Sequence, residues 1–237
     1  MKQSLNELKK IKNEFSNKVG EEYKTLRDRV YSELKKKIIF HDIKPGERII
    51  DKNLAKSMGV SRSLMRQTFT ILEKEELIDS EPRSGFYVKE ISAKDIAEIY
   101  DIRKVLEKTA AEASVPNIPD EEIEKISQLF ELAKEDLDNG NFLMFVKADT
   151  ELHKMIINNY GNKRMVKLIK NYNDRFLYYR IVDLSRAERA KKSYYEHLEI
   201  LESVKNKDVE KVVKLMGAHI ENAKYIIISN FKEYNNL

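Results

Sequence analysis

Residues 45–78 read PGERIIDKNLAKSMGVSRSLMRQTFTILEKEELI, and residues 84–88 read SGFYV. The longer run contains a Pro-Gly turn, a helix led by an acidic residue over 51–58, a break at Gly59 and a second helix. Glycine permits the positive φ that so sharp a turn requires, and Ser61 is a suitable N-cap for the second helix. This order of elements predicts a helix-turn-helix followed by a β-hairpin.

The second helix is expected to have one apolar and one polar face. Its inward stripe is predicted to consist of Leu64, Thr68, Ile71 and Leu72. The opposite, N-terminal face carries Arg62, Ser63, Arg66 and Gln67. Arginine can bond guanine bidentately in the major groove, and serine hydroxyls and helix N-terminal N–H groups suit phosphate oxygens. We therefore expect this helix to face DNA.

The hairpin after this helix is predicted from two short segments, residues 77–80 and 86–89, separated by Glu-Pro-Arg-Ser-Gly. Arg83 stands near a glycine at the tip, so the hairpin can form a wing that lies in or over the minor groove. The alternative is an ordinary helical hairpin followed by a β-hairpin, since such turns are common.

The whole run resembles the DNA-binding domain of GntR-type bacterial transcription regulators. The resemblance implies a winged helix-turn-helix over residues 23–91. It also implies that the DNA contacts are Lys52, Ser61, Arg62, Ser63, Arg66 and the wing residue Gly85. Two departures are visible: Lys52 stands where the family usually has arginine, and Ser-Leu-Met replaces Thr-Pro-Val before Arg66. A base preference is therefore not transferred from the family.

Composition and charge narrow the class of protein. The 237 residues carry a net charge of +4, with +5 in residues 1–92 and −1 in the remainder, so the basic excess lies in the half expected to bind DNA. No apolar run is long enough for a membrane span, and the Lys-rich N-terminus lacks a signal-peptide core. We expect a cytoplasmic protein with no membrane partner. The absence of cysteine excludes disulfides, thiolate metal sites and cysteine nucleophiles.

The remaining sequence predicts an N-terminal extension and a helical domain. Residues 1–22 fit an extra amphipathic helix and a frayed tail equally well. From residue 92 to residue 237 apolar side chains recur every three or four positions. The breaks between these patterns predict helices near 92–113, 120–138, 141–158, 162–183, 187–206 and 208–232. The expected fold class is mainly α, with a winged helix-turn-helix followed by an antiparallel bundle of about six helices.

Polar residues interrupt the apolar faces of three of these helices. Asp149 and His153 are four residues apart on one face, and His197 and His219 interrupt stripes on two later helices. Burying such groups unpaired costs about 1–3 kcal/mol each, so they need partners. A shared divalent metal would satisfy all four. The alternative is a hydrogen-bonded Asp-His pair with two unrelated core histidines, while the fourth histidine, His41, complements the dipole at the end of the first helix.

Residues 92 to about 231 resemble the C-terminal effector domain, of FCD type, of the FadR subgroup of GntR regulators. In that family an aspartate, a histidine four residues later and two further histidines bind a metal. Asp149, His153, His197 and His219 match this set. The resemblance implies a divalent transition metal as cofactor, with zinc favoured over nickel and manganese.

Arg103 interrupts the apolar stripe of the first bundle helix and is therefore expected to point inward. A buried guanidinium requires a carboxylate, which its planar fork can bind bidentately. Three neutral imidazoles and one carboxylate leave a divalent metal with room for a further anionic ligand. A small carboxylate effector could thus bridge the metal and Arg103, and Arg103→Ala should abolish the effector response while leaving metal content nearly intact. The alternative partner of Arg103 is a protein Glu or Asp.

Together these features predict a ligand-responsive transcription regulator with no catalytic residue. The resemblance adds a homodimer, a palindromic operator in double-stranded DNA and, as the commoner arrangement, repression relieved by the effector. Two other functions remain open from the residues. An aspartate and three histidines can also activate water in a metal-dependent enzyme, or the metal can be a purely structural clamp in a constitutive DNA-binding protein.

Overall fold

The computed structural model describes residues 25–90, 92–139, 141, 143–183 and 187–235. These residues form nine α-helices and three short strands. The chain divides into two compact units, one ending at Ser92 and the other beginning at Ala93. The extension 1–22, predicted as a helix or a tail, lies outside the described residues.

The N-terminal unit is a winged helix-turn-helix. Its elements are α1 (Leu26–Ile39), β1 (Arg48–Ile49), α2 (Asp51–Ser57), α3 (Arg62–Lys74), β2 (Ile78–Glu81) and β3 (Gly85–Val88). The strands form an antiparallel sheet in the order β1-β3-β2, with Ile49 opposite Phe86 and Ile78 opposite Val88. The predicted hairpin is therefore the β2-β3 pair, and β1 adds a third strand that the sequence pattern does not reveal.

The turn between α2 and α3 depends on Gly59, whose φ is +67°. No heavy atom lies within 4 Å of the position that a Cβ would occupy there, so backbone conformation rather than space requires glycine. Ser61 then caps α3, because its Oγ accepts a hydrogen bond from the Leu64 N–H at 3.1 Å. These two residues set the turn and the start of α3 as expected.

The buried face of α3 differs from the predicted one. Its buried residues are Met65, Thr68, Phe69 and Leu72, whereas Leu64 and Ile71 are only half-buried. The sheet explains the difference, since the ring of Phe69 meets that of Phe86 on β3 edge to face at 4.8 Å. The predicted stripe and the observed stripe both have helical spacing. The wing packs on Phe69, and this contact determines which of the two faces is buried.

The C-terminal unit is helical throughout its described length. It consists of α4 (Ala93–Ser114), α5 (Asp120–Asp138), α6 (Leu143–Asn158), α7 (Lys163–Asp183), α8 (Ala187–Lys205) and α9 (Val209–Asn235), with a 3-10 turn at Val115–Asn117. These bounds agree with the predicted helices to within three residues at each end. The expected mainly α fold, a winged helix-turn-helix followed by a six-helix bundle, is confirmed.

The bundle brings the inner faces of α4, α6, α8 and α9 together. Helices α4 and α9 pack along each other, and α5 packs against α6. Two ion pairs join α4 and α9 at their outer edges, Lys104–Glu221 at 3.0 Å and Lys224–Asp101 at 2.8 Å. None of the described helices is both long and apolar enough to cross a membrane.

Candidate metal centre and nucleic-acid interface

Four side chains from three helices converge inside the bundle. Asp149 and His153 on α6, His197 on α8 and His219 on α9 each offer one ligand atom, and these atoms lie within 4.8 Å of one another. Each residue is at most 6 % exposed. Asp149 Oδ1 lies 2.5 Å from His197 Nε2 and 3.5 Å from His153 Nε2, and the two Nε2 atoms are 3.3 Å apart.

Each of the three imidazoles uses its Nδ1 in another hydrogen bond. The acceptors are Glu107 Oε2 for His153 at 2.5 Å, the Ser193 carbonyl for His197 at 2.6 Å and Glu196 Oε2 for His219 at 2.8 Å. A carbonyl or an ionised carboxylate can only accept, so each Nδ1 carries the proton. In a neutral ring the Nε2 atom is then unprotonated and presents its lone pair to the centre.

The donor set fits a divalent transition metal. Three imidazole lone pairs and one carboxylate oxygen face one another, and acceptors as close as 2.5 Å repel unless a cation or a proton lies between them. Nitrogen and oxygen ligands bind such metals at about 2.1 Å, which places neighbouring ligand atoms about 3–4 Å apart. The separations of 3.3 and 3.5 Å fall in this range, whereas the 2.5 Å pair would have to open to admit an ion. The Nδ1 acceptors hold each ring in the tautomer that a metal requires.

Burial favours the unprotonated form of His153 and His219, which is the form that can bind metal. Removal from water lowers the pKa of His153, although the Glu107 carboxylate acts in the opposite direction. Burial, followed by the proximity of His197 and His153, lowers the pKa of His219 well below its usual value. Only unprotonated imidazole can act as a ligand. The lowered pKa values favour neutral rings at neutral pH, the form in which both could act as ligands.

Arg103 lies beside the centre and is paired with Glu107 one turn further along α4. Arg103 Nε donates to Glu107 Oε1 at 2.6 Å, and both side chains are at most 5 % exposed. Burial acts to raise the pKa of Glu107, but the charge of Arg103 and the contacts with His153 outweigh it, and the pKa is about 2. The sequence left two candidate partners for Arg103, an effector and a protein carboxylate. The structure shows the second, because Glu107 is paired with Arg103.

The Arg103 guanidinium retains hydrogen-bonding capacity beyond this pair. Its Nη2 lies 3.5 Å from His153 Nδ1, and its Cζ lies 5.7 and 5.1 Å from the ring centroids of Tyr100 and Phe176. A guanidinium has five N–H donors, and Glu107 occupies the Nε–H. The group thus lies next to the candidate metal ligands.

Two carboxylates in the site are not found by sequence reasoning. Glu107 stands four residues after Arg103, so the shared inward face was an available signal. Glu196 directly precedes His197 and faces His219 on another helix, a pairing that sequence spacing does not disclose. Arg189 Nη1 lies 3.5 Å from Glu196 Oε2. His153 thus contacts Glu107, which is paired with Arg103, and His219 contacts Glu196, which lies near Arg189.

The residues expected to contact DNA lie on the exposed side of the N-terminal unit. A shallow groove along α3 is lined by Arg62, Ser63, Arg66, Gln67 and Thr70. The side chains of Arg62 and Arg66 are 63 % and 66 % exposed. Ser61 is the exposed cap at the start of α3, and Lys52 is exposed at the second position of α2. The surface combines cations, hydroxyls and an amide, as a groove-reading helix requires.

The wing is organised around Gly85, which begins β3 with a φ of +121°. Arg48 on β1 reaches across, and its Nη2 donates to the Ser84 carbonyl at 2.5 Å. A Cβ at position 85 would meet Arg48 Nε at an ordinary contact distance of 3.6 Å, so backbone conformation rather than space requires glycine here. Arg83 at the tip also has a positive φ, +67°. The sequence did not single out Arg48.

Two family models and a curated relative match the chain. Residues 26–88 match the bacterial regulatory proteins of the gntR family, and residues 98–222 match the FCD domain. The HTH-type transcriptional regulator YdhC of Bacillus subtilis (strain 168) is 33 % identical over 202 residues, covering 83 % of this chain and 90 % of the relative. The chain belongs to the GntR family. It carries the FCD domain that the resemblance implied.

Other similar proteins agree with this assignment. The gluconate operon transcriptional repressor of Bacillus licheniformis is 27 % identical to this chain over 203 residues, covering 83 % of this chain and 82 % of the relative. The solved structure of Escherichia coli McbR/YncC has a TM-score of 0.72 at 21 % identity, covers 89 % of this chain and 99 % of its own, and is similar in fold. These relatives are transcription regulators, so the GntR regulator acts in transcription and is not a metal-dependent enzyme.

Proposed function

We propose that this GntR regulator is a homodimeric repressor whose affinity for a palindromic operator is set by a small carboxylate bound at a metal. The observation that carries the proposal is the convergence of three imidazole Nε2 atoms and one aspartate oxygen, with every Nδ1 engaged elsewhere. The repressor assignment is supported by the name of the Bacillus licheniformis relative. GntR-family regulators bind DNA and usually act as dimers.

In this proposal Asp149, His153, His197 and His219 hold one divalent ion, with zinc favoured over nickel and manganese. The bound metal supplies positive charge and open coordination positions for an oxygen ligand. Arg103 provides the second contact of a carboxylate through the donors that Glu107 leaves free. The adjacent rings of Tyr100 and Phe176 help to keep the guanidinium in place.

The DNA surface in the proposal consists of α3, the N-terminus of α2 and the wing. Arginines and serines at the start of α3 read base edges and bind phosphates in the major groove, while the wing lies in or over the minor groove. The contact residues are Lys52, Ser61, Arg62, Ser63, Arg66 and Gly85. Their position on a single unit, with all of them exposed except the half-buried Gly85, supports this assignment.

We expect Arg62→Ala and Arg66→Ala each to weaken operator binding by about 1–3 kcal/mol, because each removes a charge-assisted contact. Fluorescence anisotropy with labelled operator at matched salt measures the effect. Lys74→Ala is the control, since Lys74 is an exposed cation in the last turn of the same helix. Parent-like operator binding by both arginine variants would contradict the assignment of α3.

We expect Glu196→Gln to weaken metal binding about 10- to 100-fold, as is typical when the partner of a ligating histidine is changed. The carboxylate holds the Nδ1–H of His219 at 2.8 Å and so fixes the ring that would ligate. Competition with a chromogenic chelator measures the affinity. Glu199→Gln changes an exposed carboxylate on the same helix and should leave the affinity unchanged. Equal affinities for the two variants would remove Glu196 from the site.

The Arg103–Glu107 pair favours a second function, in which the metal only clamps helices and DNA binding is constitutive. A guanidinium already paired with a buried carboxylate has less need of an external anion. Thermal-shift screening of small mono-, di- and tricarboxylic acids, with metal present and removed, separates the two functions. An acid that stabilises only the metal-loaded protein and alters operator affinity supports the sensor. Metal-dependent stability with no response to any acid supports the clamp.

A further inference from the structure

Asp51, the first residue of α2, lies between two arginines of α3. Arg62 Nη2 donates to both of its carboxylate oxygens, at 3.1 and 3.2 Å, and Arg66 Nε lies 3.9 Å from Oδ2. The Asp51 side chain is 16 % exposed, against 63 % and 66 % for the two arginines. A half-buried anion therefore holds two exposed cations at the start of the groove-lining helix.

The backbone fixes this carboxylate in turn. The Lys52 N–H donates to Asp51 Oδ1 at 2.6 Å, so Asp51 is bound on one side by its own chain and on the other by the arginines. Arg62 and Arg66 are four residues apart and extend from consecutive turns of α3. A single anchored anion thus orients two long side chains that would otherwise sample many rotamers.

The geometry leaves both arginines able to bind DNA. A guanidinium has five N–H donors in one plane, and the Asp51 contact engages Nη2 of Arg62. Its remaining donors can meet the O6 and N7 acceptors of guanine. Ordering a long side chain before binding reduces the conformational entropy lost in the complex. A carboxylate close to the duplex also opposes indiscriminate phosphate contacts, because it repels phosphate and competes for the same cations.

We propose that Asp51 is a positioning residue that sets DNA specificity. It aims Arg62 and Arg66 at base edges and opposes their transfer to phosphates. The inference rests on the proposed entry of α3 into the major groove. By orienting both arginines, Asp51 raises the ratio of operator affinity to non-operator affinity.

The test compares the full-length parent with Asp51→Asn on two duplexes of equal length, an operator obtained by binding-site selection with the parent and a scrambled sequence. We expect the operator-to-scrambled affinity ratio to fall at least about five-fold in the variant, the lower end of what one bidentate base contact contributes. The salt dependence on scrambled DNA should steepen, because the released arginines gain phosphate contacts. Asp51→Glu, which keeps the charge, should recover part of the ratio.

Asp42→Asn is the matched control, since it removes the same charge from an exposed position between α1 and β1, outside the proposed DNA surface, and should leave the ratio unchanged. Thermal unfolding of each variant separates loss of positioning from loss of fold. A parent-like ratio in Asp51→Asn overturns the proposal, and so does an equal loss of affinity for both duplexes. Parent-like operator binding by Arg62→Ala would contradict the proposed DNA surface on α3. If Arg62→Ala binds operator more weakly but Asp51→Asn keeps the operator-to-scrambled ratio of the parent, only the role of Asp51 is contradicted.

Discussion

The double variant His197→Ala/His219→Ala is expected to take up no stoichiometric metal, whereas the parent takes up one divalent ion per chain. The two substitutions remove two of the four converging ligand atoms, on two separate helices. The remaining Asp149 and His153 lie on a single helix and make a weak two-ligand site. Elemental analysis after separate reconstitution with zinc, nickel and manganese, followed by exhaustive dialysis, gives the stoichiometry.

The same variant should lose the dependence of stability on metal. A ligand that binds only the folded state stabilises it by about 2.7 kcal/mol when its free concentration is 100 times its Kd. The parent should therefore unfold at a lower temperature after chelation, since its close-packed acceptors then face one another without a cation. Chelation should leave the melting temperature of the double variant unchanged.

His41→Asn is the control for this experiment. His41 is the remaining histidine of the chain, lies in the N-terminal unit and has a φ of +56°, a conformation that asparagine tolerates. Its metal uptake and chelator response should match those of the parent. Absence of stoichiometric uptake by the parent, or full uptake by the double variant, would contradict the metal site.

Local chemistry explains why so much of the fold was predictable. Apolar periodicity located the bundle helices, and Asn139, Gly161 and the stretch around Pro119 interrupted it where helices end. Gly59 and Ser61 set the helix-turn-helix through a positive φ and a capping hydrogen bond. Each of these signals acts within a few residues, so the sequence alone carries it.

Features that depend on tertiary contacts were less accessible. The predicted stripe of α3 included Leu64 and Ile71, but the wing packs on Phe69 and so buries a neighbouring face. Strand β1 has only two residues and exists because β3 pairs with it. In both cases the decisive partner is remote in sequence.

The candidate metal site likewise contains residues that the sequence indicates and residues that only the structure reveals. Asp149 and His153 were visible as polar residues four apart on an apolar helix face. Glu107 and Glu196 were missed because acidic residues on amphipathic helices usually face solvent, and only the fold places them against His153 and His219. Sequence thus indicates the ligands, while the residues that orient the ligands require the structure.

At effector concentrations near the Kd of the parent, Arg103→Lys is expected to lose most of the response to a carboxylate effector while preserving metal content. Lysine keeps a positive charge near Glu107, so the buried ion pair has a replacement, but it lacks the planar fork that matches a carboxylate. Loss of a hydrogen bond to a charged group costs about 1.5–3 kcal/mol, or roughly 10- to 150-fold in effector affinity. Calorimetry with the acid that most strongly stabilises the metal-loaded parent measures this loss.

Arg103→Ala is a poorer test than the sequence suggested, because Arg103 and Glu107 are both buried and paired at 2.6 Å. Removing one partner of a buried ion pair costs about 3–5 kcal/mol, since the other charge is left uncompensated. Glu107 also holds His153, so the alanine variant should lose stability and weaken the metal together. The expectation that metal content would stay nearly intact in Arg103→Ala is therefore revised, and Arg103→Lys takes its place.

Linkage provides the second measurement on Arg103→Lys. An effector that changes operator affinity by some factor must have its own affinity changed by operator DNA to the same degree, with coupling typically about 1–3 kcal/mol. In the parent, effector titrations with and without operator, and operator titrations with and without effector, should give the same factor. In Arg103→Lys the factor should fall to one while effector-free operator binding stays at the parent level, because the DNA surface lies in the other unit. An unchanged factor in a variant of normal stability and metal content would remove Arg103 from effector recognition and leave its pairing with Glu107 as its role.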